Sequence, residues 1–282
     1  MNWTWLETWL ADAPMLWVGG VLFAIMAVAA AIGSLLGERK GDGDASENDG
    51  QEGYVVSAVL GLLALLMGFT FSLAVDRFET RRVLVLREAN AIGTTYLRAQ
   101  LLPEPHRARV SGLLVQYIDN RLALAKAVRG PEGSRLLARN DAIVTDLWTA
   151  TAAAFPSIKH LDFSSVFLET MNNLIDLDAA RKAARNAHVP TEVFAVLFAY
   201  LAMTAGVLGY VMKGARGRLS AAFLLCLLTL SLLLIVDIDR PLGGGIVEGQ
   251  GPMERLRKTI AAQPPEVFDR WTAPTAEDPP RR

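Results

Sequence analysis

Asp76 and Arg77 sit where a long apolar run meets a charged stretch, with Glu79 and Arg81 close behind. A carboxylate at that point can ring the mouth of a pore and attract cations. It can equally pair with Arg77 or Arg81 on its own helix, an interaction worth about 0.2–0.5 kcal/mol. Asp237, Asp239, Arg240 and Pro241 form a second group just past another apolar run. Carboxylates at a helix C-terminus oppose the macrodipole, so their placement points to a docking or ion contact. Neither group has the look of an enzyme. The sequence holds no Gly-rich phosphate loop, nucleophile motif or cluster at metal-ligand spacing. Asn172, Asn173, Asp176 and Asp178 compose no recognisable site, and His106, His160 and His188 are far apart. The single cysteine, Cys226, lies inside an apolar run and reads as a small packed residue. No enzyme, cofactor or metal site is expected.

The elements that position these groups are legible from hydropathy. Of 282 residues, 52% are hydrophobic and 20% are charged. The apolar residues are blocked into runs at about 15–36, 54–75, 193–212 and 219–236, none of which contains Lys, Arg, Asp or Glu. About 20 helical residues cross a hydrocarbon core of ~30 Å. In lipid every backbone polar group must be paired internally, so the runs read as membrane helices. Residues 1–14 carry Glu7 and Asp12 but no Lys or Arg, and the first run is longer than a signal-peptide core, so a retained helix is expected. Trp3, Trp5, Trp9 and Trp17 suit an interfacial aromatic belt. Leu6, Trp9 and Leu10 would share one face of a short interfacial helix. The lipid bilayer is the implied partner. A net charge of -1, with both signs mixed along the chain, points to no nucleic acid.

Residues 1–37 therefore hold the first membrane helix, 38–53 a flexible Gly- and acid-rich loop, and 54–75 the second membrane helix. Residues 76–190 read as a soluble helical domain. Val85, Ala89, Ile92, Tyr96 and Ala99 form its first core-facing stripe, ended by Pro103 and Pro105. Val110, Leu114, Ile118 and Leu122 form a second, closed by Gly130-Pro131. Ile143, Val144, Leu147, Trp148 and Thr151 form a third, closed by Pro156. Phe163, Phe167, Met171 and Leu174 form a fourth, which fades into Asp176, Asp178, Arg181, Lys182 and Arg185, a charged face expected in solvent. Residues 191–238 carry the third and fourth membrane helices, and 239–282 a C-terminal tail with one short helix near 253–262. The fold class is all-α: four transmembrane helices with a helical domain inserted between the second and third. Arg77, Arg81, Arg82 and Arg87 cluster at the helix exit and place that domain in the cytoplasm, although Arg39, Lys40 and the loop 213–218 pull the other way.

The second run has a definite helical geometry. Leu62, Leu65, Phe69 and Asp76 fall on one face, and Ala64, Gly68 and Ser72 form a small-residue stripe beside it. Small residues let membrane helices approach closely. A ring of such helices would pack through the stripe and turn Leu65 and Phe69 inward, and apolar constrictions can gate ions by dewetting. Leu62, Leu65 and Phe69 can also be ordinary lipid-facing or core residues.

Residues 68–82 resemble the end of the second membrane helix of bestrophins, a Gly-Phe pair followed by Asp-Arg and an aromatic. The matching residues are Gly68, Phe69, Asp76, Arg77, Phe78, Glu79 and Arg81, with Phe78 in place of the usual Trp. The whole chain is more closely similar to the bacterial bestrophin-like family. That similarity rests on Arg87-Glu88-Ala89-Asn90-Ala91-Ile92-Gly93-Thr94, on Leu101-Leu102-Pro103 and on Asp237-Ile238-Asp239-Arg240-Pro241. It covers roughly residues 54–245. The resemblance implies cytoplasmic termini, a multi-pass protein of the bacterial inner membrane, and a homopentameric ion channel whose second helix lines an apolar neck. The chain departs from bestrophins with a calcium clasp, which carry a run of acidic residues after the fourth helix. Here only Asp237 and Asp239 stand there, before a Gly-rich stretch. The function expected is an oligomeric ion channel. The alternative is a non-conducting membrane scaffold or sensor whose helical domain binds a partner.

Overall fold

The computed structural model describes residues 4–39, 45–127 and 130–269, the side chains of residues 4, 7, 12, 39 and 45–52 excepted. The helices are α1 (Thr4–Asp12), α2 (Met15–Arg39), α3 (Ala45–Ala99), α4 (His106–Lys126), α5 (Pro131–Ile158), α6 (Phe163–Asn186), α7 (Thr191–Val211), α8 (Gly214–Asp239) and α9 (Gly251–Ala262). A 3-10 turn, Pro265–Asp269, follows. Among the described residues there is no strand. Four helical stretches are long and apolar enough to cross a membrane, and they contain the four apolar runs.

Helix α3 begins nine residues before the apolar run, at Ala45, so the stretch expected as a flexible loop is helical in its second part. Once a helix is nucleated, each further residue adds a backbone bond at little cost, and no proline stands between Ala45 and Tyr54 to stop it. The helix then runs 55 residues without a break. It closes on tightened turns, with the amides of Gln100, Leu101 and Leu102 donating to the carbonyls three residues back, just before Pro103. Helix α5 starts with Pro131 at its first turn, after Gly130 at φ 147°, a conformation side chains with a Cβ avoid. The sequence reading closed this helix at Pro156. It passes through Pro156 and ends at Ile158, because a proline so near the end costs only one backbone bond.

The chain divides into two compact units. The first comprises Met1–Glu79 and Ala187–Val247. Its core joins Leu22 and Met26 of α2, Leu63 and Met67 of α3, Leu197 of α7 and Leu232 of α8. Helices α2 and α7 cross backbone to backbone. A Cβ on Gly33 would lie 2.0 Å from the Gly206 carbonyl oxygen, and one on Gly209 would lie 1.9 Å from that of Ala30. Only glycine permits such a crossing. Leu6 and Leu10 of α1 are buried in the same core and Trp9 packs against it, as the apolar face of that helix requires.

The second unit comprises Thr80–Asn186 and Glu248–Arg282. Its core follows the expected stripes, with Ile92, Leu114, Ile118, Leu147, Phe167 and Met171 buried, except at Trp148, which was expected to face the core and is exposed. Met253 and Ile260 of α9 join it, so the segment read as a tail belongs to this body from Glu248 onward. Ion pairs fasten that segment: Arg257 to Asp119 at 2.7 Å, Arg107 to Asp269 at 2.5 Å and Arg81 to Glu248 at 3.0 Å. The Tyr96 hydroxyl donates to the Gln263 carbonyl at 2.9 Å, and its ring meets Phe268 edge-on.

Candidate functional site

The rotation of α3 in the first unit is set by its buried face. Leu63, Met67, Thr70 and Ala74 recur at spacings of four, three and four and are all buried. The Thr70 hydroxyl donates to the Leu66 carbonyl at 2.8 Å, which satisfies the one polar group on that face. At roughly 100° per residue, Leu65 and Ser72 then lie opposite the buried face. Leu65 is 54% exposed, Phe69 62% and Leu62 49%. Ala64, Gly68, Ser72 and Asp76 are exposed as well. A Cβ built on Gly68 meets no atom within 4 Å. The neck candidates and the packing candidates thus share the surface that the subunit does not use for its own core.

The exit motif divides. Asp76 and Glu79 are exposed and Arg77 is half-buried. Arg81 is buried and makes its ion pair with Glu248.

The group after the fourth apolar helix works as a clamp on backbone. Asp237 accepts the amides of Gly245 at 2.7 Å and Ile246 at 3.0 Å, folding the Gly-rich stretch back on the helix end. Gly243 sits at φ 76°, which turns the chain there. Buried Asp239 accepts the Val189 amide at 3.0 Å, with His188 Nδ1 3.7 Å from its other oxygen. Arg240, also buried, donates from Nε to the Leu10 carbonyl at 2.6 Å. Pro241 has no amide to continue the helix. Among the described residues no group of three His, Cys, Asp or Glu side chains is placed to hold a metal.

A polar centre that the sequence reading missed lies in the second unit. Glu88 of α3 is fully buried. Arg121 approaches it at 3.0 Å, Arg181 makes a second ion pair, and the Tyr117 hydroxyl donates to it at 2.6 Å. Asp178 accepts from Asn140 at 2.8 Å and from Lys182 at 2.5 Å, and Arg121 lies 3.5 Å away. Burial, then the charge of Glu88, raises the Tyr117 hydroxyl well above the ordinary phenol range, so it stays a neutral donor. Burial is the largest influence on the Arg121 guanidinium and would lower it, but its neighbours Glu88, Tyr117 and Asp178 together outweigh it and the group is raised. Asp178 was expected on a solvated charged face. It is buried because two other helices, α4 with Tyr117 and Arg121 and α5 with Asn140, bring polar partners to meet it. The signal was present. Glu88 stands three residues after Val85 and four before Ile92, and Asp178 continues the spacing of Met171 and Leu174, so both occupy core-facing positions.

Residues 20–247 match the model of the bestrophin-like domain family. No curated protein matches the chain. Its fold resembles crystal structures of two substituted forms of a bacterial bestrophin homolog from Klebsiella pneumoniae. One is 16% identical with TM-score 0.60, over 89% of this chain and 97% of that one. The other is 17% identical with TM-score 0.58, over 90% and 99%. At such identities the likeness is one of fold.

Proposed function

The chain belongs to the bestrophin-like family, and from that premise we propose that it is a subunit of an oligomeric ion channel in a membrane. The rotation of α3 carries the reading: its buried face leaves Leu65 and Phe69 turned away from their own subunit. Copies of α3 ring a common axis and approach one another through Ala64, Gly68 and Ser72. Leu62, Leu65 and Phe69 narrow the path and exclude water until the ring opens. Asp76 lies at its mouth, and the domain over residues 76–190 stands on the cytoplasmic side. The subunit number, five, comes from the family resemblance.

The test is ion flux from liposomes loaded with a chloride- or potassium-sensitive dye, comparing wild type, Leu65→Ala and Phe69→Ala. Each Phe69→Ala ring loses one aromatic plug per subunit, so flux rises several-fold while the oligomer stays intact on a sizing column. Intact oligomers with no flux in all three proteins would sink the channel reading and leave a scaffold.

A further inference from the structure

We infer that a pocket in the first unit, walled by α1, α2 and α7, holds one acyl chain of a bilayer phospholipid. The cavity measures about 290 Å³ and is lined by Trp5 and Trp9 of α1, Leu22, Ile25 and Met26 of α2, and Phe198 of α7. No charged side chain lines it. A headgroup would find no partner there, so the ligand enters by its hydrocarbon end. Sites for drug-sized ligands run to about 300–1,000 Å³, and a cavity at the foot of that range suits a slender guest. Water gains nothing from walls of this kind, since apolar cavities stay dry. An empty void leaves its lining without contact partners, which favours any hydrocarbon able to enter.

Two features make this a built site rather than a gap. The α1 wall is anchored, because Leu6 and Leu10 are buried in the unit's core and Arg240 donates to the Leu10 carbonyl at 2.6 Å. The pocket is also continuous with an exposed apolar surface. Ile25 forms part of its wall and belongs to the same outward side of α2 as Val28 and Ile32, all exposed. The inference rests on the reading of α2 and α7 as membrane helices: that surface then faces lipid tails, and a tail can pass from the bilayer into the pocket without crossing water. Trp5, exposed, and Trp9, half-buried, stand on the α1 side, where indole N–H groups serve the interface.

The experiment uses the full chain reconstituted in phosphatidylethanolamine–phosphatidylglycerol vesicles doped with a phospholipid bearing a diazirine on one acyl chain. After illumination, labelled peptides are mapped by mass spectrometry. Label should concentrate on the pocket residues of α1, α2 and α7 by about fivefold over the exposed face of α8 at Phe223 and Leu230, as enclosure of a ligand implies. Ile25→Trp, which fills the pocket from an exposed position, should remove that excess. Val28→Trp, one turn along, should leave it intact. Equal labelling of pocket and α8, or persistence of the excess in Ile25→Trp, would each overturn the site. Absence of label from every helix would overturn the membrane reading itself, a result distinct from loss of the site alone.

Discussion

Glu88 is one carboxylate facing two guanidinium groups in a place water does not reach. Buried ion pairs add little net stability when complete, but removing one partner strands the others. Glu88→Ala should therefore destabilise the second unit by roughly 3–5 kcal/mol, read as a lowered midpoint in thermal unfolding of the detergent-solubilised protein. Glu88→Gln keeps an acceptor for Tyr117 and should lose less. Equal midpoints for wild type and Glu88→Ala would mean the cluster is idle. Tyr117 adds a pH dependence with a definite sign. Its folded pKa is raised, so its contribution is complete below the unfolded phenol value of about 10 and declines as pH rises beyond it. Lys182, also raised, adds to the same decline. Tyr117→Phe should flatten the loss of stability between about pH 10 and 11 without abolishing it. At this scale the sequence was a partial guide. Charges at core-facing positions were visible, but hydropathy treats a run of charged residues as a solvated face. Only tertiary packing supplies the counter-charges that make burial tolerable.

Small residues on the helix surfaces have two kinds of surroundings here, and one substitution type separates them. A side chain on Gly209 strikes the backbone of Ala30, which no rotamer change relieves. Gly209→Leu should pry α7 from α2 and break the subunit's own fold, at a cost at or above the usual overpacking range of about 1–3 kcal/mol. A side chain on Gly68 strikes nothing within its subunit. Gly68→Leu should leave the monomer's helicity and unfolding midpoint unchanged and shift the sizing profile toward smaller species. An unaltered oligomer in Gly68→Leu would remove Ala64, Gly68 and Ser72 from the contact between subunits. Helix existence, the apolar runs and the stripes of the second unit were readable because each is a repeat within one segment, of period 3.6. The α2–α7 crossing was not. Gly33, Gly37, Gly206 and Gly209 can be seen in the sequence, but nothing local says which pair of helices they join. Pro156 misled for a related reason: its cost depends on how much helix remains after it.

At the scale of the whole chain, the hydropathy boundaries at 76 and 190 lie close to the edges of the second unit, at Thr80 and Asn186. The missing piece was the return of the chain. Met253 and Ile260 reach the second unit's core from beyond the last apolar helix. Composition alone cannot distinguish such a docked amphipathic helix from a free one. Deleting residues 251–282 should expose the core around Ile92 and Leu114 and make the second unit cleave faster under limited proteolysis, while the first unit keeps its helicity. A truncated protein as protease-resistant as the full chain would show that α9 is dispensable.

The interleaving of the two units also orders events in time. When a ribosome has made residues 80–186, the second unit has most of its walls but lacks the helix that closes it. The closing segment begins only at Glu248, after α7 and α8 have been made. At about 5–20 residues per second, the 61 intervening residues (187–247) take roughly 3–12 s to synthesise. For that interval a half-built helical bundle waits with apolar surface uncovered. The segment made after the fourth apolar helix therefore seals a body begun near residue 80, and a chain that stalls before that segment leaves the body open.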